Sequence, residues 1–514
     1  MKFCTAAEMR RLDDKTIKEC GLPGVVLMEN AGRAAAALTA RRLGKMAGLR
    51  AAVVCGRGNN GGDGFVMARI FHGWGALVRV FLLCEKEKVG GDARVNLDVI
   101  LNMGLEVVEI SREEQEERLD LGGVDLIVDA ILGTGLNSEV RGVYRLAIDR
   151  INASKAFVVA VDIPSGVDSD SGRVLGTAVR ANLTATFGLP KIGLLLLPGE
   201  ELAGELEVVD IGIPPHILAE ADPGKELVLE ETLAGILKKR SREGHKGAYG
   251  HVLVVAGSVG KTGAAALTAL AAARAGAGLV TLAVPASLNP ILEVKVTEAM
   301  TEPLDEDEPG FLSAAAAERV LELARGKAVL ALGPGLSARP GCRALVRRVV
   351  VEAEVPLIID ADGLNSLEGC VDILKKARRE VLITPHPGEM GRLLGRSTDD
   401  IALDRLGAAA ALAAARGAIT VLKGYRTIIA APDGRLFLNT TGGPHLASGG
   451  MGDVLTGIAA GLAAQGLPLL SAARLGVFAH GLAADEAAVA PGAPGLLASD
   501  LLSRLPGLWP RFIS

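Results

Sequence analysis

The chain has 514 residues, too many for one ordinary core, so two domains are the default. Its hydrophobic fraction of 49% supplies two cores, which the 3% aromatic content makes aliphatic and alanine-rich. A net charge of −5 argues against a nucleic-acid partner. MKFCTAAEMRRLDD lacks a signal peptide's apolar core, and the alanine-rich tract from Gly263 is too short for a membrane span. Cys4, Cys20, Cys55, Cys84, Cys342 and Cys370 show neither C-x-x-C nor zinc spacing and read as thiols of a reducing compartment. The expectation is a soluble cytoplasmic protein.

In chain order, residues 25–43 read as a long helix. AAVVC (51–55), ALVRVFLL (76–83), DLIVDA (125–130), FVVAVD (157–162) and LTATFG (183–188) read as strands buried on both faces. Their spacing excludes hairpins and leaves room for crossover helices. Prolines, acids and a glycine in IPPHILAEADPGKE mark a linker over 216–228. A second alternation follows: HVLVVA (251–256), LVTLAV (279–284), AVLALG (328–333), PLIIDA (356–361), VLITP (381–385) and ITVLKG (419–424), then a helical region over 453–489. The fold class is α/β, with two doubly wound parallel-sheet domains over 1–215 and 229–514, each a three-layer αβα unit. The small-residue helix over 264–278 suits a subunit interface, so a homo-oligomer is expected.

The loop GRGNNGGDG (56–64) satisfies the Rossmann-like fingerprint G-x-G-x-x-G, with Glu85 available for a ribose. That motif alone is weak, and a tight turn explains it as well. Asn59, Asn60 and Asp63 add oxygens where a redox clamp needs only space. DAILGTGLNSEVRG puts Asp129 at a strand end before a second glycine loop; VDIPSG puts Asp162 and Ser165 at another. In a parallel sheet these ends line one crevice. Asp162 is either a proton-transferring carboxylate or an aspartate capping the Pro-Ser-Gly turn.

NNGGDG, DAILGTG and VDIPSG in that order resemble the epimerase domain of the NAD(P)H-hydrate repair enzymes, over roughly 1–215. The resemblance implies a Rossmann-like domain whose substrate is hydrated NADH or NADPH. It implies that Asn59, Asn60, Gly61, Gly62 and Asp63 line that substrate, with Gly133, Thr134, Gly135, Leu136, Asn137, Ser138 and Glu139, and with Asp162 as catalytic carboxylate. It also implies a potassium ion on Asn60, Asp129 and Ser165, a donor set of amide, carboxylate and hydroxyl that suits a hard monovalent cation.

In the second half, ASGGMGDVLTGIAAGLAAQG (447–466) runs from glycines into an aspartate heading an apolar helix. The N–H groups of residues 449–452 would form an anion hole. Asp453 at its rim is either a base for a hydroxyl attacking a phosphoryl group or a partner for the helix dipole. His386 in TPHPGE is either a satisfied loop histidine or a substrate contact; Lys423 in KGYRT is either a solvated lysine or a phosphate partner.

HKGAYGHVLVVAGS, ALGPGL, DADGLN, TPHPGEM, KGYRT and ASGGMGDVLTG together resemble the nucleotide-dependent NAD(P)H-hydrate dehydratase domain, a ribokinase-like fold, over roughly 230–510. The resemblance implies that Ala264, Gly335, His386 and Asp453 contact the hydrate. It implies that Lys423, Gly424, Tyr425, Arg426, Thr427 and Gly452 contact ADP or ATP as co-substrate, and that Glu389 helps hold Mg²⁺ through water. The sequence departs from that pattern at VGKTGAA after Ser258 and in TGGPHLASGG, which bear on the choice between ADP and ATP. The competing reading is a vitamin or sugar kinase fused to a non-catalytic nucleotide-binding domain.

Overall fold

The computed structural model describes residues 1–220, 224–490 and 492–514. The chain divides into two compact units, Lys2–Pro223 and Gly224–Ser514 with Met1.

The first unit is built on β1 (Arg50–Cys55), β2 (Leu77–Leu82), β3 (Glu106–Glu109), β4 (Leu126–Ala130), β5 (Phe157–Val161), β6 (Leu183–Phe187) and β7 (Glu205–Val209). All seven strands are parallel, in the order β3-β2-β1-β4-β5-β6-β7. Alternation along β1 gives the layers: Val53 and Cys55 join a cluster with the helices Gly24–Leu43 and Asn59–Gly73, whereas Ala52 and Val54 join Ile148 and Ile151 of the helix Gly142–Ala153. Strand order reverses between β1 and β4, which opens a crevice at their carboxyl ends. Ahead of the sheet, the helix Ala6–Lys18 starts with a capping box: Thr5 Oγ1 accepts from Glu8 N–H at 3.2 Å and Glu8 Oε2 from Thr5 N–H at 2.8 Å.

The second unit contains β8 (Lys225–Val228), β9 (His251–Val255), β10 (Leu279–Pro285), β11 (Met300–Leu304), a small hairpin of β12 (Glu306–Glu308) and β13 (Phe311–Leu312), β14 (Val329–Leu332), β15 (Leu357–Ile359), β16 (Val381–Ile383), β17 (Ile419–Leu422), β18 (Ile428–Ala430) and β19 (Leu436–Asn439). Its ten-stranded sheet runs β11-β10-β9-β14-β15-β16-β17-β18-β19-β8 and switches direction of build between β9 and β14. The sheet is mixed: β18 is antiparallel to both β17 and β19. This corrects the all-parallel expectation, because the chain turns back through a tight hairpin at KGYRT instead of crossing over. Residues 225–228, read as linker, form β8 and extend the sheet beside β19; residues 221–223 of that linker lie outside the described residues.

The expected helical region over 453–489 consists of two helices, Met451–Ala464 and Leu469–Ala487, separated at Gly466 (φ +92) and Pro468. The small-residue helix Thr262–Arg274 is covered within the chain. An ideal Cβ on Gly457 would lie 2.3 Å from the Thr268 carbonyl oxygen, and one on Gly461 would lie 2.3 Å from that of Ala272. Its alanines therefore pack on the helix Met451–Ala464, a use that the oligomer expectation did not consider. Among the described residues no helix is long and apolar enough to cross a membrane, and all six cysteines are free.

Candidate active sites

In the first unit, GRGNNGGDG is only partly a loop, for the helix Asn59–Gly73 already begins at its first asparagine. Gly56 and Gly61 let β1 and the helix meet: a Cβ on Gly56 would lie 2.0 Å from the Ile131 carbonyl oxygen, and one on Gly61 equally close to that of Gly56. Gly62 is pressed on Met28 and Gly64 on Ala130, so these glycines serve packing. The exposed N–H groups belong to the uncapped helix start at Asn59 and Asn60, an anion-favouring end.

Asp129 ends β4 and is fully buried, as is Ser165. Ser165 Oγ donates to Asp129 Oδ1 at 2.5 Å, Ser165 N–H donates to Oδ2 at 2.8 Å, and Oγ also accepts from Leu132 N–H at 2.8 Å. Burial pushes the Asp129 carboxyl up to about 6 in spite of those donors. Asn60 lies against Gly133, and its buried amide nitrogen has no partner. Turned over, that amide presents an oxygen toward the same loop. An amide unpartnered among the described residues, against the loop whose Leu132 N–H meets Ser165 and through it Asp129, suits a monovalent cation. Gly133, Thr134 and Leu136 are half-buried, whereas Gly135, Asn137, Ser138 and Glu139 are exposed, and Glu139 is turned to Arg141 at 2.6 Å.

Asp162 follows β5 with φ +65, a left-handed conformation held by its surroundings. Its Oδ1 accepts from Lys191 Nζ at 2.5 Å and from Phe187 N–H at 3.1 Å. Lys191 is fully buried and was missed in the sequence, although a lone charge within GLPKIGLLLL is itself a signal. Asp63 is buried too, and burial, then Asp162 and Asp13, raises its carboxyl well above the usual range. A cavity of about 740 Å³ in this unit lies elsewhere, beside Asn30, Arg69 and Trp74.

In the second unit the motif loops follow the carboxyl ends of β9, β14, β15, β16 and β17, around the switch in strand order. A cavity of about 380 Å³ there gathers Ala264, Gly335, Glu389 and Asp453 with Lys261, Asp362 and Asn365. The helix Met451–Ala464 enters from Gly450 (φ +88) with no side-chain cap, so its first N–H groups are free for an anion. Asp453, in its first turn, is pushed up to about 7 by burial and by neighbouring Asp360.

Asp360 is 1% exposed and was not singled out in the sequence. Its Oδ1 accepts from Lys423 Nζ at 2.7 Å and its Oδ2 from Thr456 Oγ1 at 2.8 Å. Lys423 thus turns inward, 3.9 Å from Glu389 and 3.3 Å from where a Cβ on Gly452 would stand. Burial lowers the Lys423 ammonium, but Asp360 and Glu389 outweigh it and raise it overall. The rest of KGYRT is the β17–β18 turn. Arg426 has φ +52 and donates to the Thr440 carbonyl at 3.0 Å, Thr427 Oγ1 donates to the Gly424 carbonyl at 2.8 Å, and Arg405 holds the Tyr425 carbonyl at 2.6 Å. The structure therefore joins Lys423 and Gly452 to the Asp453 cluster and puts Gly424, Tyr425, Arg426 and Thr427 in the adjoining turn.

His386 is half-exposed and caps the helix Pro387–Leu394, its Nδ1 accepting from Gly388 N–H at 3.0 Å. Burial, Lys423 and Arg392 lower it, so the ring is neutral with its proton on Nε2. Glu389 completes that capping box, its Oε2 accepting from His386 N–H at 2.8 Å, and burial raises it. Lys261, from the VGKTGAA departure, bonds Asp362 Oδ2 at 2.8 Å at the cavity rim. Among the described residues no three His, Cys, Asp or Glu side chains form a metal cluster. Glu389 alone fits a cation held mainly by phosphate and water.

An uncapped helix N-terminus headed by a half-buried carboxylate suits phosphoryl transfer, and the other unit pairs an uncapped helix start with buried carboxylates. Family profiles agree with that division: one described as NAD(P)H-hydrate dehydratase matches residues 252–507, and one described as YjeF-related protein N-terminus matches 24–193. The bifunctional NAD(P)H-hydrate repair enzyme Nnr of Moorella thermoacetica is 46% identical over 98% of this chain and 96% of its own length. That of Thermofilum pendens is 42% identical over 98% and 96%. An ADP/ATP-dependent NAD(P)H-hydrate dehydratase from Bacillus subtilis, crystallised with ATP and Mg²⁺, is 31% identical over 56% of this chain and 98% of that one, with a TM-score of 0.47. The chain belongs to the bifunctional NAD(P)H-hydrate repair enzymes.

Proposed function

We propose that this chain repairs hydrated NADH and NADPH in two steps, epimerising the R and S hydrates in residues 1–215 and dehydrating the S hydrate in residues 229–514. The observation that carries the second step is Asp453, half-hidden at an uncapped helix start and open to a cavity shared with Ala264, Gly335 and Glu389. Asp453 takes the proton of the substrate hydroxyl as that oxygen attacks the terminal phosphoryl group of ADP or ATP. The free N–H groups of Met451–Asp453 and the Lys423 ammonium stabilise the charge that develops on the phosphoryl oxygens. Phosphate is a far better leaving group than hydroxide, so C–O cleavage with loss of the neighbouring C–H proton restores the ring double bond. His386 is held neutral at the rim, where it contacts the hydrate.

Glu389 would hold magnesium through water, and the ion would supply charge neutralisation to the phosphates. Gly424, Tyr425, Arg426, Thr427 and Gly452 surround the adenine nucleotide. In the other domain Asn60, Asp129 and Ser165 would hold potassium, which would supply a fixed positive charge beside the substrate. Asn59 and the loop Gly133–Glu139 border the substrate there, and Asp162 takes part in proton transfer as the hydrated carbon is inverted.

The test is incubation of hydrated NADH with ADP and Mg²⁺ while the NADH absorbance is followed. Absorbance is expected to return with release of inorganic phosphate, and Asp453→Ala is expected to slow it about a hundredfold or more. A phosphorylated product that accumulates without NADH would show a kinase instead.

A further inference from the structure

The first unit buries one ammonium among several carboxyls. Lys191 is fully buried and spends its three protons within the protein: on Asp162 Oδ1 at 2.5 Å, Thr186 Oγ1 at 3.2 Å and the Phe187 carbonyl at 2.9 Å. It therefore has no proton for a substrate and no lone pair to act as a base. Asp162 Oδ1 is equally occupied, since it also accepts from Phe187 N–H at 3.1 Å and Thr186 Oγ1 at 3.3 Å. No described residue donates to its other oxygen, Oδ2, and the side chain is 13% exposed. The geometry thus fixes one oxygen of Asp162 and leaves the other available.

The remaining carboxyls have no such claim on the ammonium. Asp63, on the helix Asn59–Gly73, is 8% exposed and feels Asp162, Asp13 and Lys191. Asp13, on the helix Ala6–Lys18, has a buried Oδ1 without a partner and is pushed up to about 6 by burial, with Lys191 opposing. Glu8 and Asp170 complete the surroundings of Lys191 and Asp162, near the Cys4 thiol; each accepts a backbone N–H, from Thr5 at 2.8 Å and Ala6 at 2.7 Å. One cation cannot neutralise all of these in a dry setting, and direct contact awards it to Asp162. Asp63 is buried with no ion partner among the described residues, and that burial favours its protonated form.

We propose that Lys191 makes Asp162 the proton acceptor of the epimerisation and leaves Asp63 as its proton donor. The inference rests on the epimerase reading above. Water adds to an enamine with its oxygen on the carbon beside nitrogen, so that carbon is the centre to be inverted. The C–O bond breaks as the ring nitrogen's lone pair forms a C=N bond, and the hydroxyl departs as water with the proton of Asp63. Water then adds to the opposite face and gives its extra proton to Asp162 Oδ2. The site is left with Asp63 ionised and Asp162 protonated, which is the state that runs the reverse inversion; exchange with solvent resets it. Two carboxyls whose surroundings push their protonation apart are a general acid and base pair.

The test follows interconversion of a single purified epimer by the full chain, separated chromatographically. In oxygen-18 water the wild-type protein is expected to place one label in each inverted product, and unlabelled product overturns the proposal without reference to any variant. Asp63→Asn is expected to slow inversion about a hundredfold or more. Lys191→Met, which strips Asp162 of its cation, is expected to move the acid limb of the pH profile upward by about a unit or more, and Lys191→Arg to return it part of the way. Inversion by Asp63→Asn within about threefold of wild type, or an acid limb unmoved in Lys191→Met, overturns the assignment. A wild-type chain that never mixes the epimers overturns the epimerase reading, and this proposal with it.

Discussion

Asp453 combines two demands that pull against each other. As a base it has to be ionised, yet burial and Asp360 push its carboxyl up to about 7. Dehydration is therefore expected to rise with pH through about 7 and then level off, since only the ionised form accepts a proton. Lys423 opposes that shift. A pH–rate profile of Lys423→Met should place the acid limb higher than in wild type, together with a lower plateau; a limb at the same pH or lower contradicts the cluster described here. The same carboxyl costs stability. Its folded value lies above the unfolded one, so the penalty is absent below about pH 4, grows as pH rises to about 7, and persists above. Asp453→Asn is expected to stabilise its domain by about 1–3 kcal/mol at pH 8 in denaturant unfolding, with no gain at pH 4.

Residues that announce themselves by motif were legible: Asp129, Asp162, Ser165, Glu389 and Asp453 each stand at a strand or helix end, in a glycine-rich context. Lys191 and Asp360 were not. Their meaning comes from a partner distant in sequence, Asp162 for one and Lys423 with Thr456 for the other, and only sheet order brings those together. The glycines of NNGGDG were ambiguous for the opposite reason. A glycine that admits a phosphate and a glycine that admits a neighbouring helix look alike until the atoms 2.5 Å from an added Cβ on Gly62 prove to be Met28.

Among the elements, buried central strands read clearly because both faces are apolar. β3 and β7 were missed because EVVE and ELEVV carry acids on half-exposed edge strands. β18 and β19 are buried, but at three and four residues they are too short for a periodic signal; the turn APDGR between them was the available clue. The contact between the helices Thr262–Arg274 and Met451–Ala464 brings the base-bearing helix against its support, and it depends on glycine. Gly457→Ala places a methyl 2.3 Å from the Thr268 carbonyl oxygen and 2.6 Å from the Ala271 methyl. Neither helix can yield locally, so a loss of about 1–3 kcal/mol is expected in thermal or denaturant unfolding, with reduced dehydratase turnover. A variant as stable and active as wild type would mean that the helices are not held this close.

At the scale of the whole molecule, two α/β units carry two different sites on one chain, each at the switch point of its own sheet. The pairing has a chemical logic. A dehydratase that accepts one epimer strands the other, and an epimerase in the same chain returns it to the reactive pool. Asp162 and Asp453 lie on different units, so each step should fail separately.

The most direct measurement is the extent of NADH recovered from an equal mixture of both hydrates with excess ADP and Mg²⁺. Wild type is expected to recover all of it, Asp162→Ala to stop near half within the time wild type needs, and Asp453→Ala to recover almost none. Full recovery by Asp453→Ala, or by Asp162→Ala at the wild-type rate, would contradict the assignment of the two sites.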